Sequence, residues 1–492
     1  MHIVHIASEM ARIAKVGGLG DVILGLSRQC AEEGHEVEVI LPRYTCLHHA
    51  GMRDLHVLQR DLWSFGGGKW HHNTIWAGWV EGIKVYLVEP HTAPHYFERE
   101  KIYGYDDDIE RFTYFSRAAL EFLQRAEIRP DILHLLEWHS ALCAPLYHDL
   151  YGRLGNEDGG IVFTMHNLKH QGQCSVHDLD KVGIRGADYL RPDKLQHNAD
   201  PNTINLLKGG IVYADAVTTV SPTYSREVLG PEFGMDLDET LLEHQEKFKG
   251  ILNGLDYSLG GPTVDKLLPV AYSHDEESIR NKGQCKHALR DRLGLEQRDC
   301  PVVGTISRLV PQKGVEMIKH SIFEVLDRGG QFVLLGSAAT KEINADFHAL
   351  KIHFADNPNV HLELHHHEEL AHLIYAGCDL FMVPSLFEPC GLTQIIALRY
   401  GSVPLVRRTG GLADTVFDGE NGFSFDTPDF ASCEAALHRA LDVYENDRQM
   451  WKQLMIRGMK TDFSWKRSSR EYLKVYNTLI GAYEASSSPS TS

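Results

Sequence analysis

The chain has 492 residues, of which 43% are hydrophobic and 24% are charged, close to the average for a folded globular protein. Its formal net charge of −18 argues against nucleic acid as the main partner, because phosphate backbones need clustered Lys and Arg. A few local cations can still bind a small anion within an acidic protein. The length exceeds what one hydrophobic core usually supports and predicts two domains.

The nine cysteines are scattered and contain no C-x-x-C pair, so neither a disulfide framework nor a zinc site is indicated. We therefore expect a reducing, cytoplasmic environment. The first residues have the pattern of a strand rather than of a signal peptide, and no apolar stretch is long enough to span a bilayer. A membrane partner is not expected.

Short apolar runs alternate with helical patterns, which is typical of parallel strands joined by crossover helices. The predicted strands of the first half are His2–Ala7, Glu36–Leu41, Lys84–Val88, Ile132–Leu135, Gly160–Thr164 and Ala216–Val220. Those of the second half are Pro301–Ile306, Gln331–Leu335, Val360–Leu364, Leu380–Pro384 and Val403–Val406. This is more than one open parallel sheet usually holds, so two doubly wound sheets are favoured.

The pattern breaks between Phe248 and His274, where glycines and prolines are frequent. We therefore predict an α/β fold of two Rossmann-like domains facing an interdomain cleft, with ligands at the carboxyl ends of the strands. The predicted ranges are residues 1–248, residues 249–464, a C-terminal helix over 465–485 and a disordered Ser-rich tail over 486–492.

A glycine-rich segment, Lys15-Val-Gly-Gly-Leu-Gly-Asp21, follows the first strand. It leads into a helix predicted over Asp21–Glu33, with Asp21 as its N-cap and Gly34 after its end. The glycines allow close backbone approach to a ligand, the helix start favours an anion, and Lys15 is placed to reach a phosphate. The alternative is an ordinary strand-to-helix turn with a solvated lysine.

Two segments of the second half also follow predicted strands. In Ser307-Arg-Leu-Val-Pro-Gln-Lys-Gly314, Arg308 offers a two-pronged donor and Lys313 a point charge, which suits a diphosphate. In Pro384-Ser-Leu-Phe-Glu-Pro-Cys-Gly-Leu-Thr-Gln394, the surrounding residues fix the orientation of Glu388, and a helix is predicted to begin at 391–393. The alternatives are surface charges and a turn with a capping Glu; Cys390 is better explained as a small buried residue than as a nucleophile.

Weaker signals are His166 at a strand end, Glu137 within His134-Leu-Leu-Glu-Trp-His139, and Asn253 at the predicted domain junction. A single histidine is more often structural than functional. The tract His365-His-His367 does not predict a metal site, because adjacent residues of one strand cannot easily chelate one ion. No metal is therefore expected.

Taken together, these segments resemble those of the bacterial glycogen synthase and plant starch synthase family over roughly residues 1–482. The matching motifs also include Ser221–Tyr224, Val406–Thr415 and Asp462–Trp465. The resemblance implies the GT-B architecture, with a C-terminal helix that returns to the N-terminal domain. It also implies an enzyme of glycogen biosynthesis that transfers glucose, with retention, from ADP-glucose to the non-reducing end of an α-1,4-glucan such as glycogen or a maltooligosaccharide.

The resemblance implies roles for individual residues. Lys15, Arg308 and Lys313 would bind the donor diphosphate, Asn253 and Glu388 the donor glucose, and His166 would lie beside the anomeric carbon. Further donor contacts are implied for Gly17, Gly18, Asp21, His366, Cys390, Gly391, Leu392 and Thr393. Acceptor contacts are implied for Phe97 and Glu137; the alternative for Phe97 is a residue of the hydrophobic core. Front-face attack without a metal or other cofactor is expected.

Three positions depart from the family pattern: Glu137 stands in place of Asp, Leu386 in place of Arg, and His366 in place of an aromatic ring that stacks on the base. They bear on base selectivity and acceptor geometry more than on reaction type. Two alternatives stay open: a related transferase that uses UDP-glucose or makes a small glucoside, and a glucan-binding protein without catalysis. Lys15, Arg308, Lys313 and Glu388 argue against the second alternative.

Overall fold

A computed structural model describes residues 1–155, 159–257 and 261–487, including all their side chains except those of His49 and residues 483–487. The chain divides into two compact units. The first unit comprises Met1–Gly254 and Trp465–Ser492, and the second comprises Leu255–Ser464. No helix in the described ranges is long and apolar enough to cross a membrane.

The first unit is built on a twisted sheet flanked by helices. Its strands are β1 (His2–Ile6), β2 (Glu36–Pro42), β3 (Arg53–Gly66), β4 (Lys69–Val80), β5 (Ile83–Pro90), β6 (Ile132–Leu136), β7 (Gly160–Met165), β8 (Gln173–Cys174), β9 (Ile204–Asn205), β10 (Ala216–Thr219) and β11 (Phe248–Gly250). The main sheet has the order β11-β10-β7-β6-β1-β2-β5-β4-β3, and β8 and β9 pair separately. Its pairs are parallel except for the antiparallel β3–β4 and β4–β5 pairs.

The helices of the first unit connect or cover these strands. They are α1 (Gly18–Glu32), α2 (Asp108–Arg125), α3 (Trp138–Ala141), α4 (Cys143–Asp149), α5 (Val176–Lys181), α6 (Leu206–Tyr213), α7 (Pro222–Glu227), α8 (Pro231–Gly234) and α9 (Asp238–Glu243). Helix α1 ends close to its predicted end, before Gly34 with φ +89°. Its start was predicted wrongly, because Gly17 is the N-cap and Asp21 lies within the first turn.

The second unit contains a six-stranded parallel sheet. Its strands are β12 (Val302–Leu309), β13 (Gln331–Ala338), β14 (Val360–Glu363), β15 (Leu380–Val383), β16 (Val403–Arg407) and β17 (Phe423–Phe425), in the order β14-β13-β12-β15-β16-β17. The helices of this unit are α10 (Lys282–Leu293), α11 (Val315–Asp327), α12 (Lys341–His353), α13 (Glu368–Gly377), α14 (Thr393–Arg399), α15 (Gly410–Thr415), α16 (Phe430–Asn446) and α17 (Arg448–Lys460). The strand order is that of a dinucleotide-type Rossmann sheet, with its switch point between β12 and β15.

The unit boundary differs from the predicted one. Strand β11 pairs with β10, which keeps it in the first sheet, so the first segment of that unit ends at Gly254 rather than at residue 248. The final helix, α18 (Trp465–Ser487), belongs to the first unit. It continues through Ser486 and Ser487, which were predicted as tail, and residues 488–492 lie outside the described residues.

A close contact holds the start of α18 against α1. A Cβ atom added to Gly25 would lie 2.1 Å from Nε1 of Trp465, so only glycine leaves room for the indole. Further along α18, Tyr476 is fully buried and its hydroxyl lies 2.8 Å from Nδ1 of His134 on β6. The C-terminal helix is thus part of the first unit's core.

Three buried histidines make the first unit sensitive to acid. Burial lowers the pKa values of His5 and His139 to about 3 and holds the pKa of His134 well below its usual range. In the unfolded chain the three imidazoles bind protons below about pH 6.5, whereas in the folded chain they do not. The free energy of unfolding should therefore fall as the pH drops below about 6.5, by up to about 1.4 kcal/mol per pH unit for each histidine.

Urea unfolding of the first unit at pH 7.5 and pH 5.5 measures this effect. His139→Gln should remove one protonation site and reduce the pH slope, because one buried imidazole fewer then binds a proton on unfolding. His95→Gln is the matched control, since His95 is an exposed histidine of the same unit. Equal slopes in the wild type and the His139→Gln variant would contradict the prediction.

Candidate active site

The switch point of the second sheet carries a cavity of about 180 Å³. Its wall is formed by the ends of β12 and β15, by the loops that follow them and by the start of α14. The lining residues are Thr305, Ile306, Ser307, Arg308, Lys313, Ile318, Met382, Val383, Pro384, Ser385 and Thr393. Two segments predicted from the sequence therefore meet at the place where a doubly wound sheet binds its ligand.

Glu388 is held in place by two neighbours beside this cavity. Its Oε2 atom lies 2.5 Å from Nζ of Lys313 and accepts a hydrogen bond of 2.9 Å from the Ser385 hydroxyl. Glu388 is only 6% exposed. A buried carboxylate bound to a cation and a hydroxyl has one orientation, so its second oxygen is fixed as an acceptor. The sequence had indicated Glu388 and Lys313, but not Ser385.

Arg308 and Lys313 differ in their surroundings. Arg308 is exposed, and no carboxylate of the described residues pairs with it. Lys313 is half-buried and already pairs with Glu388. Arg308 is therefore free to bind an incoming anion at the cavity, whereas Lys313 links the anion site to the carboxylate.

A cation of the same unit contacts the loop that contains Leu386. The guanidinium of Arg407, at the end of β16, donates a hydrogen bond through Nη1 to the backbone oxygen of Leu386. The Leu386 amide donates in turn to the Gln312 oxygen at 2.7 Å. A cation from the neighbouring strand thus reaches the loop in which the family pattern has Arg.

Residues 390–394 form the start of α14. The helix begins at Thr393 with Leu392 as its N-cap, within the range predicted, and the first-turn amides have no intrahelical acceptor. Gln394 fixes the loop, because its Nε2 donates to the oxygens of Cys390 and Gly391 at 3.0 Å each. Cys390 is 5% exposed, as expected for a small buried side chain.

Gly314 joins the two loops of this site. It has φ +70°, and a Cβ atom there would lie 2.1 Å from the Pro384 oxygen. Gly314→Ala should therefore destabilise the second unit by more than about 1 kcal/mol and lower activity, because both the backbone strain and the clash displace the loops. Gly329→Ala is the matched control, since Gly329 has φ +71° with no atom within 4 Å of the added Cβ.

The free energy of unfolding in urea, measured for both glycine variants, separates the effect of the clash with Pro384 from that of the backbone strain. Gly329→Ala should lose only the stability that the backbone strain costs, and its activity should stay normal. Equal losses of stability and activity in the two variants would show that the contact with Pro384 has no effect.

His366 lies apart from this cavity. It is exposed in the loop between β14 and α13 and does not line the cavity wall. Its neighbour His367 caps α13 by accepting a 3.3 Å hydrogen bond from the Leu370 amide. The histidine tract is not among the groups of described residues whose ligand atoms converge; those are His2, Glu36 and Glu38, and His320, Glu324 and Glu434.

In the first unit, the glycine-rich segment is organised by a residue that the sequence did not indicate. Glu9 is 1% exposed, and its Oε2 accepts hydrogen bonds from the amides of Val16 at 2.6 Å and Gly17 at 2.9 Å. Its Oε1 accepts from the Tyr103 hydroxyl at 2.8 Å. The Gly17 amide therefore binds Glu9, which is a different role from the donor contact implied for it.

Lys15 and Asp21 form an exposed ion pair across this segment. Nζ of Lys15 lies 2.8 Å from the Asp21 carboxylate, and the two side chains are 49% and 39% exposed. Gly18 is exposed and is the first residue of α1. The ammonium, the carboxylate and the helix start are thus within one short segment, as the sequence indicated.

Glu137 and His166 lie side by side at the ends of β6 and β7. Glu137 is 7% exposed, has φ +65°, and its Oε1 accepts a 2.5 Å hydrogen bond from the His166 amide. The His166 Nδ1 atom lies 3.2 Å from the same oxygen, but its orientation does not make a hydrogen bond. Both ring nitrogens of His166 therefore lack a hydrogen-bond partner among the described residues. Buried polar atoms without a partner are uncommon, which makes His166 a candidate for ligand binding.

Two further predicted residues have different outcomes. Asn253 is 6% exposed, and its buried Oδ1 has no hydrogen-bond partner in the described part of the chain. Phe97 was expected to contact an acceptor sugar, but it is 1% exposed and packs edge-on against Tyr44 with ring centroids 5.4 Å apart. No face of its ring is open to a sugar, so Phe97 is a core residue.

Comparison with known proteins finds family models and relatives that match most of the chain. Residues 2–243 match the family model for the starch synthase catalytic domain, and residues 291–454 match that for glycosyl transferases group 1. The chain is 52% identical to the glycogen synthase of Protochlamydia amoebophila (strain UWE25), over 97% of this chain and 99% of that protein. It is 44% identical to probable starch synthase 4 of Arabidopsis thaliana, over 99% of this chain and 48% of that protein.

A solved structure is similar along nearly the whole chain. The catalytic domain of starch synthase IV from Arabidopsis thaliana, bound to ADP and acarbose, has a TM-score of 0.93 and 44% identity. The match covers 98% of this chain and 99% of that one.

Proposed function

Because this chain belongs to the glycogen synthase and starch synthase family and is a glycosyltransferase with the GT-B fold, we propose that it elongates an α-1,4-glucan by transferring glucose from ADP-glucose. The acceptor is the 4-hydroxyl group at the non-reducing end of glycogen or of a maltooligosaccharide. The new bond retains the α configuration of the donor.

The observation that carries the proposal is the arrangement around Glu388. One carboxylate, 6% exposed, bonds to both Lys313 and Ser385 beside the cavity at the switch point. The free cation Arg308 lines the same cavity. A ligand that carries both a diphosphate and a sugar matches a site that offers cations for the one and a fixed acceptor for the other.

The proposed reaction breaks the bond between the glucose anomeric carbon and the diphosphate oxygen and forms a bond to the acceptor oxygen. The proton of the acceptor hydroxyl passes to the departing diphosphate. Arg308 and Lys313 stabilise the negative charge that develops on the leaving group, while Glu388 holds the glucose. Because attack occurs on the face that the diphosphate leaves, the configuration is retained without a protein nucleophile.

Within the first unit, His166 and Asn253 supply polar atoms for a sugar. The His166 ring nitrogens and the Asn253 oxygen lack partners among the described residues, which favours ligand binding. Glu137 orients the His166 loop through its bond to the His166 amide. We propose that a longer carboxylate is tolerated here because its main partner is backbone.

ADP-glucose is preferred to UDP-glucose in this proposal, because the starch synthase IV structure, at 44% identity, is bound to ADP. We further propose that no metal or other cofactor is required, since Arg308 and Lys313 supply positive charge in the cavity. Activity should then persist in excess EDTA. A cytoplasmic location is proposed as well, and fractionation of the source cells tests it.

The decisive experiment is the donor-dependent extension of maltoheptaose by the purified full chain, with labelled ADP-glucose and UDP-glucose supplied in parallel. Product length is measured by chromatography, and the new linkage by NMR. Extension by single α-1,4-linked residues, faster with ADP-glucose, supports the proposal. Faster reaction with UDP-glucose or transfer to a small non-glucan acceptor favours the alternative transferase, and glucan binding without nucleotide release favours a non-catalytic protein.

A further inference from the structure

A cavity of about 460 Å³ opens on the first unit between the β3–β4 hairpin and the C-terminal end of α2. None of the candidate active-site residues lines it. We call it the tryptophan cavity, and its lining residues are Gln59, Asp61, Leu62, Trp63, Trp70, Glu121, Gln124, Arg125 and Glu127. Trp63 and Trp70 are 53% and 54% exposed, which is unusual for the largest apolar side chain.

The hairpin register places both indoles on one face. Trp63 lies opposite His72, and Phe65 lies opposite Trp70 in the antiparallel pair. Side chains two residues apart on a strand share a face, so Trp63 and Trp70 are diagonal neighbours. Diagonal neighbours are close enough for one ligand chain to contact both rings.

Each indole contacts other side chains of the same unit. The Trp63 ring lies 5.7 Å from the His72 ring, and the Trp70 ring meets the Phe65 ring edge-on, also at 5.7 Å. The buried Arg117 of α2 places its guanidinium 5.4 Å from the Trp70 ring centroid. Both side chains nevertheless stay about half exposed, which loses the stabilisation that burial would give and is typical of a binding surface.

The rim of the cavity is polar and acidic. Its lining includes three carboxylates, from Asp61, Glu121 and Glu127, together with Arg125 and the amide of Gln124. The Glu121 carboxylate also pairs with Arg117 at 3.4 Å. A negative rim disfavours phosphates and nucleotides. A neutral ligand with apolar ring faces and hydroxyl edges suits indole platforms surrounded by carboxylates and amides, because the faces stack while the hydroxyls donate hydrogen bonds. A sugar chain has this chemistry.

We propose that the tryptophan cavity is a second glucan-binding site, which holds an α-1,4-glucan chain through stacking on Trp63 and Trp70. The inference rests on the proposed function, since it names the same class of polymer. A site of this kind raises the effective concentration of chain ends around the enzyme, because one glycogen particle is then bound at more than one point. It should therefore affect long, branched acceptors and leave short ones unaffected.

The test compares a Trp63→Ala/Trp70→Ala double variant of the full chain with a Trp79→Ala control. Trp79 lies on the same hairpin and is 43% exposed, but it does not line the cavity. Affinity electrophoresis in glycogen gels should show at least about tenfold weaker binding in the double variant, because two ring-stacking contacts are lost together. The glycogen concentration for half-maximal rate should rise similarly, while turnover on maltotriose and the donor KM stay unchanged.

Unaltered glycogen affinity in the double variant, with Trp79→Ala as the reference, overturns the inference. Analytical ultracentrifugation tests a second alternative. If the wild type is a dimer and the double variant a monomer with the same glycogen affinity, the face binds a second copy of the chain and the inference is overturned. Thermal unfolding checks the fold, and the single variants Trp63→Ala and Trp70→Ala replace the double variant if it fails to fold. Glycogen binding is measured without donor, so it tests the tryptophan cavity even if the wild type transfers no glucose.

Discussion

Replacing Glu388 with alanine is expected to lower turnover by about a hundred- to a thousandfold, the loss typical of removing one preorganised polar group from an active site. The carboxylate is fixed by Lys313 at 2.5 Å and by Ser385 at 2.9 Å, so no other described group can take its position without moving those loops. The fold should survive, because the unpaired Lys313 side chain is 21% exposed and can turn towards water.

Initial rates with ADP-glucose and a maltooligosaccharide measure this effect, and thermal unfolding checks the fold. Glu388→Gln keeps the shape and can still accept a hydrogen bond from Ser385, but it loses the charge that binds Lys313, so its rate should lie between those of the wild type and the alanine variant. Glu420→Ala is the control, because Glu420 is an exposed carboxylate of the same unit. Near-normal turnover in Glu388→Ala would remove the basis for this site.

The parallel strands were predictable because each is a short, continuously apolar run. The β3–β4 hairpin was missed for the opposite reason. Many of its residues are polar and exposed, and its register shifts between Gln59 and Leu62 break the simple alternation. An antiparallel extension of a parallel sheet gives a weaker signal in the sequence than a strand buried on both faces.

The sequence predicted the candidate site best where a single loop contains all of the indicative residues. Glu388 and Thr393 belong to a single segment, so their proximity follows from the sequence alone. Arg407 approaches Leu386 only because β16 pairs with β15, and that pairing is a property of the sheet rather than of either segment.

Two outcomes in the first unit depended on burial, which one sequence does not specify. Glu9 binds the amides of the glycine-rich segment only because β1 delivers it into the interior, and no spacing distinguishes it from a surface carboxylate. Phe97 was expected at an acceptor site, but it packs among aromatic residues of the core. The composition of an aromatic segment does not reveal which rings face a ligand.

Replacing Lys15 with alanine is expected to lower kcat/KM for the donor by about a hundredfold while changing the stability little. The Lys15–Asp21 pair is 49% and 39% exposed, and exposed pairs contribute between about 0 and 1 kcal/mol. Glu9 holds the amides of Val16 and Gly17, so the backbone of the segment should keep its shape without the lysine. The loss would then come from the missing positive charge.

Three further variants and a salt series separate this explanation from a structural one. Lys15→Arg keeps a positive charge and should recover part of the rate, whereas Lys15→Gln should behave like alanine. Lys101→Ala, which removes an exposed lysine elsewhere in the unit, should leave the donor KM unchanged. Because salt screens charges, the wild-type donor KM should rise with ionic strength more steeply than that of Lys15→Ala. Parallel salt dependences and equal values of kcat/KM would mean that Lys15 only pairs with Asp21 and does not bind the donor.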